Sequence, residues 1–165
     1  MTGDKLFDAC RIFKHACAFV DCAKFCETEP NKIGYRLQSH MVSGIVNSAF
    51  ACEVFIKSLL VFNGVSVEKI HGHDLKILWG KLQKVDLQTA LLVEMRMREW
   101  FNSEDETLFD KMLTEISNAF EYWRYIYEKR GGTINPNFLR GFRDVLREVC
   151  CNKLYNKSWE EFIKD

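Results

Sequence analysis

The sequence predicts an all-α fold, an up-and-down bundle of four main helices with additional short helices. Two prolines, Pro30 and Pro136, interrupt the 165 residues, and both fall between long segments whose apolar residues repeat at helical spacing. Strand-like alternation of polar and apolar residues is almost absent. With 47% hydrophobic residues, a chain of this length has enough apolar side chains for one core, so we expect a single domain over residues 1–165.

The charges and the cysteines argue against several classes of function. Lysine and arginine together number 23, as do aspartate and glutamate, so no net field holds nucleic acid or an anionic membrane, and we expect neither DNA nor a membrane as partner. The N-terminal MTGDKLFDACRIF is not a secretory signal, and no stretch approaches the roughly 18 apolar residues of a membrane span, which predicts a cytoplasmic protein. The seven cysteines are expected as reduced core residues, since Cys22 and Cys26 share a helix face but lack a second ligand pair for zinc. We therefore expect no metal and no cofactor.

The first two helices are predicted from their apolar spacing. From Leu6 to Cys26, apolar residues form two adjacent rows that together cover roughly 200° of a helix, more than one neighbour can cover. The next segment, GYRLQSHMVSGIVNSAFACEVFIKSLLVFNG, is apolar on most sides and predicts a central helix at the axis of the core. Asn63-Gly64 closes this helix with a pair suited to a left-handed C-terminal turn.

Four further helices are expected after this turn. Two shorter ones run from about residue 74 to 85 and from about 87 to 101, before the polar break NSEDET. The fourth main helix is predicted from a five-turn seam at four- and three-residue spacing, formed by Phe109, Leu113, Ile116, Phe120, Trp123 and Tyr127. The last helix begins with Asn135 as N-cap and Pro136 as first helical residue, and its expected inward side chains are Phe142, Val145, Leu146 and Val149.

Charged residues on the two most apolar helices predict a polar network. Glu53 projects from an apolar sector of the central helix, where an isolated carboxylate is costly, and Lys57 one turn later is the local cation. Arg124, at the edge of the fourth helix's seam, has Glu128 one turn later. Two interpretations of these pairs are open: an interhelical network that specifies packing, or a ligand-binding or catalytic cleft.

The stretch HGHDLKILW, residues 71 to 79, leads into the third helix. Asp74 stands just before the apolar residues and is predicted to cap the amides of the first turn. His73 is either a core histidine anchored to the network or a general acid–base group, with His73 and Arg124 as the catalytic candidates. The segment offers His73 no suitably spaced hydroxyl, thiol or second acid, which favours the structural interpretation.

The last helix carries three arginines on its predicted polar face, Arg140, Arg143 and Arg147. Acidic residues are interleaved with them, and opposite charges at one-turn spacing are typical of a solvated, mutually neutralised surface. The alternative interpretation is a groove that contacts RNA phosphates, with Lys129 and Arg130 nearby.

Three motifs together resemble the HEPN superfamily of prokaryotic helical-bundle domains. They are FACEVFIKSLL, HGHDLKILWGKL and FEYWRYIYE, in that order, and the resemblance covers about residues 35–150. It implies a bundle of four main helices with a short extra helix, commonly a homodimer, in toxin–antitoxin, phage-defence and RNA-processing systems. At the matching motif positions, the residues of the implied fold-type network are Glu53, Lys57, His73, Asp74, Arg124 and Glu128.

Active members of that superfamily are metal-independent endoribonucleases that use an arginine, four to six intervening residues and then a histidine. That spacing is missing before all four histidines of this chain, since Arg11-x3-His15 and Arg36-x3-His40 are each one residue too close. Because fold-level likeness supplies no activity, the sequence predicts a non-catalytic or divergent module that binds RNA or protein. A cognate antitoxin or a nucleotidyltransferase is the class of protein partner that the resemblance implies.

Two alternative functions stay open. One is a metal-independent endoribonuclease with a non-standard site, in which His73 moves the proton and Arg124 stabilises charge on the phosphorus centre. The other is a bundle that binds a nucleotide or another small molecule in a cleft lined by Glu53, Lys57 and Arg124.

Overall fold

Helices form over most of the segments in which apolar residues recur at helical spacing. The computed structural model describes residues 3–28 and 34–164, and these residues contain no strand, so the predicted all-α class is confirmed. Short 3₁₀ turns lie at Val67–Lys69 and Ile126–Glu128. In chain order the helices are α1 (Gly3–Thr28), α2 (Gly34–Phe62), α3 (Leu75–Val85), α4 (Leu87–Trp100), α5 (Leu108–Ile116), α6 (Ala119–Arg124), α7 (Pro136–Tyr155) and α8 (Trp159–Phe162).

Helix α2 is the axis of the core, as its apolar composition predicts. It packs against α1, α3, α6 and α7, and its fully buried side chains include Phe55, Ile56, Leu59 and Leu60. Just beyond the end of α2, Gly64 adopts a φ of 88°. Its amide donates to the Val61 carbonyl at 2.9 Å, and the Val65 amide donates to the Leu60 carbonyl at 3.0 Å. This is the left-handed closure that Asn63-Gly64 predicts.

One stretch of the described chain, His40–Phe62 within α2, is long and apolar enough to cross a membrane by length and composition, with a mean hydropathy of 1.7. No stretch of this kind was expected from the sequence. Within the bundle 67% of this stretch is buried. Its apolar sides are therefore accounted for by packing against neighbouring helices.

The fourth main helix is broken, which corrects the prediction of one five-turn helix reaching Tyr127. Between α5 and α6, the Ser117 carbonyl accepts a hydrogen bond from the Leu75 amide at 2.9 Å, and the Ser117 hydroxyl donates to Asp74 Oδ1 at 2.6 Å. The start of α3 thus docks into the break, and these bonds interrupt the helical ladder. Tyr127 lies beyond α6 and is 77% exposed. The seam residues that are buried are Phe109, Leu113, Ile116 and Trp123.

Helix α7 begins and packs as its sequence predicts. The Asn135 side chain accepts a hydrogen bond from the Phe138 amide at 3.0 Å, and Pro136 is the first helical residue. The side chains predicted to face inward are all buried: Phe142, Val145, Leu146 and Val149. Helix α7 therefore closes the core against α1, α2 and α4.

Candidate functional site

The carboxylate of Glu53 is the centre of the first polar cluster. Its side chain is 1% exposed; Oε1 accepts a hydrogen bond from Lys57 Nζ at 2.6 Å, and Oε2 lies 2.9 Å from His73 Nδ1. Because an ionised carboxylate only accepts hydrogen bonds, this contact assigns a proton to Nδ1 of His73. The structure brings these three residues together, in the arrangement expected of a packing network.

The position of His73 is set by the start of α3. Gly72 has a φ of 99°, which lets the chain turn sharply before the helix. Asp74 then caps α3 by accepting a hydrogen bond from the Ile77 amide at 2.8 Å, as the sequence predicts. The His73 ring also lies against Phe120, with 5.0 Å between ring centroids. His73 therefore joins the start of α3 to both α2 and α6.

Arg124 and Glu128 do not join this cluster, which corrects the prediction of one network built from two ion pairs. The Arg124 guanidinium lies 5.0 Å from the centroid of Phe120 and 4.5 Å from that of Tyr125, and donates to the Tyr125 hydroxyl at 2.6 Å. Helix α6 ends at Arg124, so Glu128 in the next 3₁₀ turn is no longer one helical turn away. His73 and Arg124 contact the same phenyl ring but share no hydrogen bond among the described residues.

The arginines of α7 lie largely inside the bundle, which corrects the prediction of a solvated or RNA-facing row. The side chains of Arg143 and Arg147 are 2% and 10% exposed, whereas that of Arg140 is 44% exposed. The Arg147 guanidinium lies 4.5 Å from the ring centroid of Trp159, on the short helix α8 that the sequence analysis did not predict. Arg140 is the one of the three with substantial access to an external anion.

Arg143 organises a second buried cluster that the sequence analysis missed. Its Nη1 donates to Glu27 at 2.7 Å and to Ser48 at 2.8 Å, while Nε and Nη2 donate to Asp144 at 3.2 and 3.3 Å. Burial acts to lower the pKa of Arg143, but the hydrogen bonds to Glu27 and Asp144 outweigh it, so that pKa is raised. The guanidinium is therefore a permanent charge that ties α7 to α1 and α2.

A pocket of about 180 Å³ adjoins the Arg143 cluster where α1, α2 and α7 meet. Its polar wall includes Glu27, and Arg140 Nε lies 3.3 Å from Glu27 Oε1. His40 also lines the pocket, but its Nδ1 atom is buried away from solvent, without a hydrogen-bond partner in the described part of the chain. The apolar wall is formed mainly by Met41, Ile45, Pro136 and Leu139. The pocket therefore combines apolar walls with a few polar groups, as small-molecule sites do.

Two of the cysteines, Cys17 and Cys151, are too buried to be reactive thiols, and the described residues form no metal-binding cluster. Burial raises the pKa of Cys17 to about 12 and that of Cys151 to about 11, so both thiols stay protonated at neutral pH and are poor nucleophiles. Within residues 3–28 and 34–164, no three histidine, cysteine or acidic side chains are grouped to hold a metal ion.

Comparison with protein-family models, curated proteins and solved structures gives no significant match. The HEPN resemblance therefore rests on the three sequence motifs alone. Function is inferred from the geometry of the described residues.

Proposed function

We propose that the protein is a non-catalytic, HEPN-like interaction module that acts as a homodimer in a defence or toxin–antitoxin-type system. The observation that carries the proposal is an apolar stripe on the outer face of α4. Leu87, Leu91 and Met95 recur every four residues and are 55%, 52% and 43% exposed, with Leu92 beside them at 36%. Contiguous exposed apolar side chains, unlike single ones, are typical of interaction surfaces.

The proposed occupant of the stripe is α4 of a second copy, lying antiparallel about a two-fold axis between Leu91 and Leu92. Such a contact is isologous, so every contact between two different residues on one side of the axis is repeated in reverse on the other side. We place Lys84, in the last turn of α3 beside the start of α4, next to Glu99 near the end of the other α4, once on each side of the axis. Both residues are exposed, and neither forms an ion pair within the described chain. Their opposite charges favour this orientation over a parallel one.

The absence of catalysis is proposed from the state of the two catalytic candidates. The contact of His73 Nδ1 with Glu53 leaves Nε2 to accept a proton, but Arg124 is stacked on aromatic rings outside that cluster. A general base needs a partner that stabilises the developing charge within reach of the same substrate. Among the described residues no second group at His73 supplies that role, because Lys57 is paired with Glu53.

Sedimentation equilibrium of three proteins tests the dimer. We expect the parent to be a dimer and Leu91→Glu a monomer of unchanged helical content, since the new carboxylate would be desolvated at the axis. Phe7→Glu, on α1, is the matched control, because Phe7 is also an exposed apolar residue (67%); it should leave the dimer intact. A monomeric parent, or equal dissociation by both variants, would contradict the proposal.

Incubation of the purified parent with mixed RNA in the presence of EDTA tests the non-catalytic part. We expect no cleavage above a buffer control. Cleavage that disappears in either His73→Ala or Arg124→Ala would instead support an endoribonuclease. The cognate antitoxin or nucleotidyltransferase stays a proposed partner, to be sought by co-purification from the native host.

RNA binding without cleavage is the second candidate function, favoured by an exposed basic and aromatic segment after α6. Arg124, Tyr125, Tyr127, Lys129 and Arg130 are all exposed there. Exposed tyrosines beside cations form stacking surfaces for single-stranded nucleic acid. Fluorescence anisotropy with single-stranded RNA should therefore show salt-dependent binding that Tyr127→Ala weakens, whereas binding unaffected by that change would remove this candidate.

A further inference from the structure

We propose that a cleft beside α6 binds a guanine nucleotide. The cleft has a volume of about 400 Å³ and lies where the end of α5, α6 and the loop leading to α7 meet. Small-molecule sites have volumes of roughly 300–1,000 Å³, so one nucleotide is a ligand of suitable size. None of the described residues that line the cleft belongs to α4, so binding there does not depend on the proposed dimer.

Tyr122 gives the cleft an aromatic wall. The Tyr122 hydroxyl donates to the Gly131 carbonyl, and a Cβ on Gly132 would lie only 2.5 Å from the tyrosine ring. Glycine at position 132 therefore lets the loop pack directly on the ring, which is half-buried and lines the cleft. Unstacked nucleic-acid bases bind to aromatic side chains presented in this way. The wall therefore favours a planar aromatic ligand.

Glu115 and Asn118 line the cleft with side chains that no other described residue engages. Glu115 is exposed, is the one charged side chain of the described lining, and forms no ion pair in the described chain. Lys76 reaches the neighbouring Thr114 hydroxyl at 2.8 Å, but its charge is paired with Asp110 at 3.4 Å. Asn118 stands at the N-cap of α6, yet its side chain accepts no hydrogen bond from that helix. Both side chains are therefore available to a ligand.

These two side chains match one edge of guanine. A carboxylate has two acceptor oxygens, and guanine is the RNA base whose pairing edge carries two adjacent donors, N1–H and the 2-amino group. Glu115 accepts from both donors, and the Asn118 amide donates to the neighbouring O6. Adenine, cytosine and uracil each present an acceptor beside their donor, and a carboxylate repels that acceptor. The lining therefore selects guanine.

Lys129 supplies a positive charge for the phosphate of the nucleotide. Its Nζ lies 6.0 Å from the centroid of the Tyr122 ring. Lys129 and the adjacent Arg130 are exposed and form no ion pair in the part of the chain that the structure describes. Lys129 would repel a cationic ligand, whereas a neutral base with an anionic phosphate is attracted to both Glu115 and Lys129. The ligand class is therefore a guanine nucleotide, either free or within single-stranded RNA.

Isothermal titration of the full chain with four probes tests the recognition. The probes are GMP, AMP, IMP, which lacks the 2-amino group, and guanosine, which lacks the phosphate. We expect one GMP to bind per chain, IMP and guanosine to bind more weakly, and AMP to bind most weakly. IMP binding as tightly as GMP would show that Glu115 does not contact the 2-amino group, and would overturn the assigned site.

The oligonucleotides UUGUU and UUAUU distinguish the two sources of the nucleotide. We expect UUGUU to bind more tightly than UUAUU. If UUGUU also binds more tightly than GMP, the guanine comes from single-stranded RNA; equal affinity for UUGUU and GMP indicates a free nucleotide. The proposal is overturned if neither the nucleotides nor the oligonucleotides show a preference for guanine, and RNA binding without that preference would leave the second candidate function standing.

Three variants assign the roles of the residues. Glu115→Gln should weaken GMP binding about tenfold or more, because charge-assisted hydrogen bonds are lost. Lys129→Gln should weaken the binding of GMP but not that of guanosine. Glu121→Gln is the matched control, because Glu121 is an exposed carboxylate of α6 that does not line the cleft; it should change the affinity at most about twofold. Equal losses in Glu115→Gln and Glu121→Gln would show general electrostatics and overturn the proposal.

Discussion

Replacement of Arg143 by methionine should lower the free energy of unfolding by about 3 kcal/mol. Removing one partner of a buried ion pair costs about 3–5 kcal/mol, because the other charge is left without its counterpart. The lower end of this range applies here, because Glu27 and Asp144 are partly exposed, at 18% and 25%. Glu27 also retains its contact with Arg140, and Asp144 retains its contact with Lys24. Methionine fills most of the arginine's apolar volume, so the cavity contribution is small.

Urea denaturation followed by circular dichroism measures this change. Arg140→Met is the matched control on the same helix, and should cost under about 1 kcal/mol because that side chain is 44% exposed. Arg143→Lys should fall between the two, since lysine retains the charge but lacks the planar fork. A free energy of unfolding of Arg143→Met within about 0.5 kcal/mol of the parent value is typical of ordinary surface substitutions. That result would show that the buried ion pairs of Arg143 do not stabilise the fold.

Three further predictions concern the remaining titratable groups. His73→Ala should lower the free energy of unfolding by roughly 1–3 kcal/mol, because it leaves one oxygen of the buried Glu53 without its partner; unchanged urea denaturation would contradict this. Burial alone would raise the pKa of Asp86, but hydrogen bonds from three neighbouring side chains outweigh it and lower that pKa in the folded state. At a pH above its unfolded-state pKa of about 4, Asp86 therefore stabilises the fold. This stabilisation is lost as the pH falls through the lower pKa that Asp86 has in the folded state. Asp86→Asn should therefore lower the free energy of unfolding at neutral pH, and its difference from the parent should shrink in acid. A difference that grew in acid would contradict the lowered pKa of Asp86. Cys22 is exposed and should react with a thiol reagent in the native protein, whereas Cys52, whose pKa is raised by burial, should react only after unfolding; labelling of Cys52 at the same rate would contradict its burial.

Local rules predicted the parts of the fold that depend on neighbours in sequence. Asp74 and Asn135 cap their helices as expected, because an N-cap depends on backbone amides only two or three residues away. The pairing of Glu53 with Lys57 follows in the same way from one turn of α2. His73 was also anticipated as a histidine anchored to the network, because its own segment offers no suitably spaced hydroxyl, thiol or second acid, and it does contact Glu53.

Partners distant in sequence explain what the sequence analysis missed. The residues that bury Arg143 are Glu27 and Ser48, 116 and 95 positions away, so the charge pattern of α7 alone resembled a solvated face. One signal was present: Leu139 and Leu146 lie one turn before and after Arg143, on the side that turned out to be buried. The break at Ser117 had no comparable signal, because the start of α3 causes it.

Charge reversal across the proposed α4 interface tests the functional proposal most directly. Sedimentation equilibrium should show that Lys84→Glu and Glu99→Lys each weaken the dimer, because each places like charges opposite one another at both ends of the interface. The double variant restores opposite charges, so its dissociation constant should return to near that of the parent. A double variant weaker than either single one would show that Lys84 and Glu99 do not face each other, and would contradict antiparallel pairing through α4.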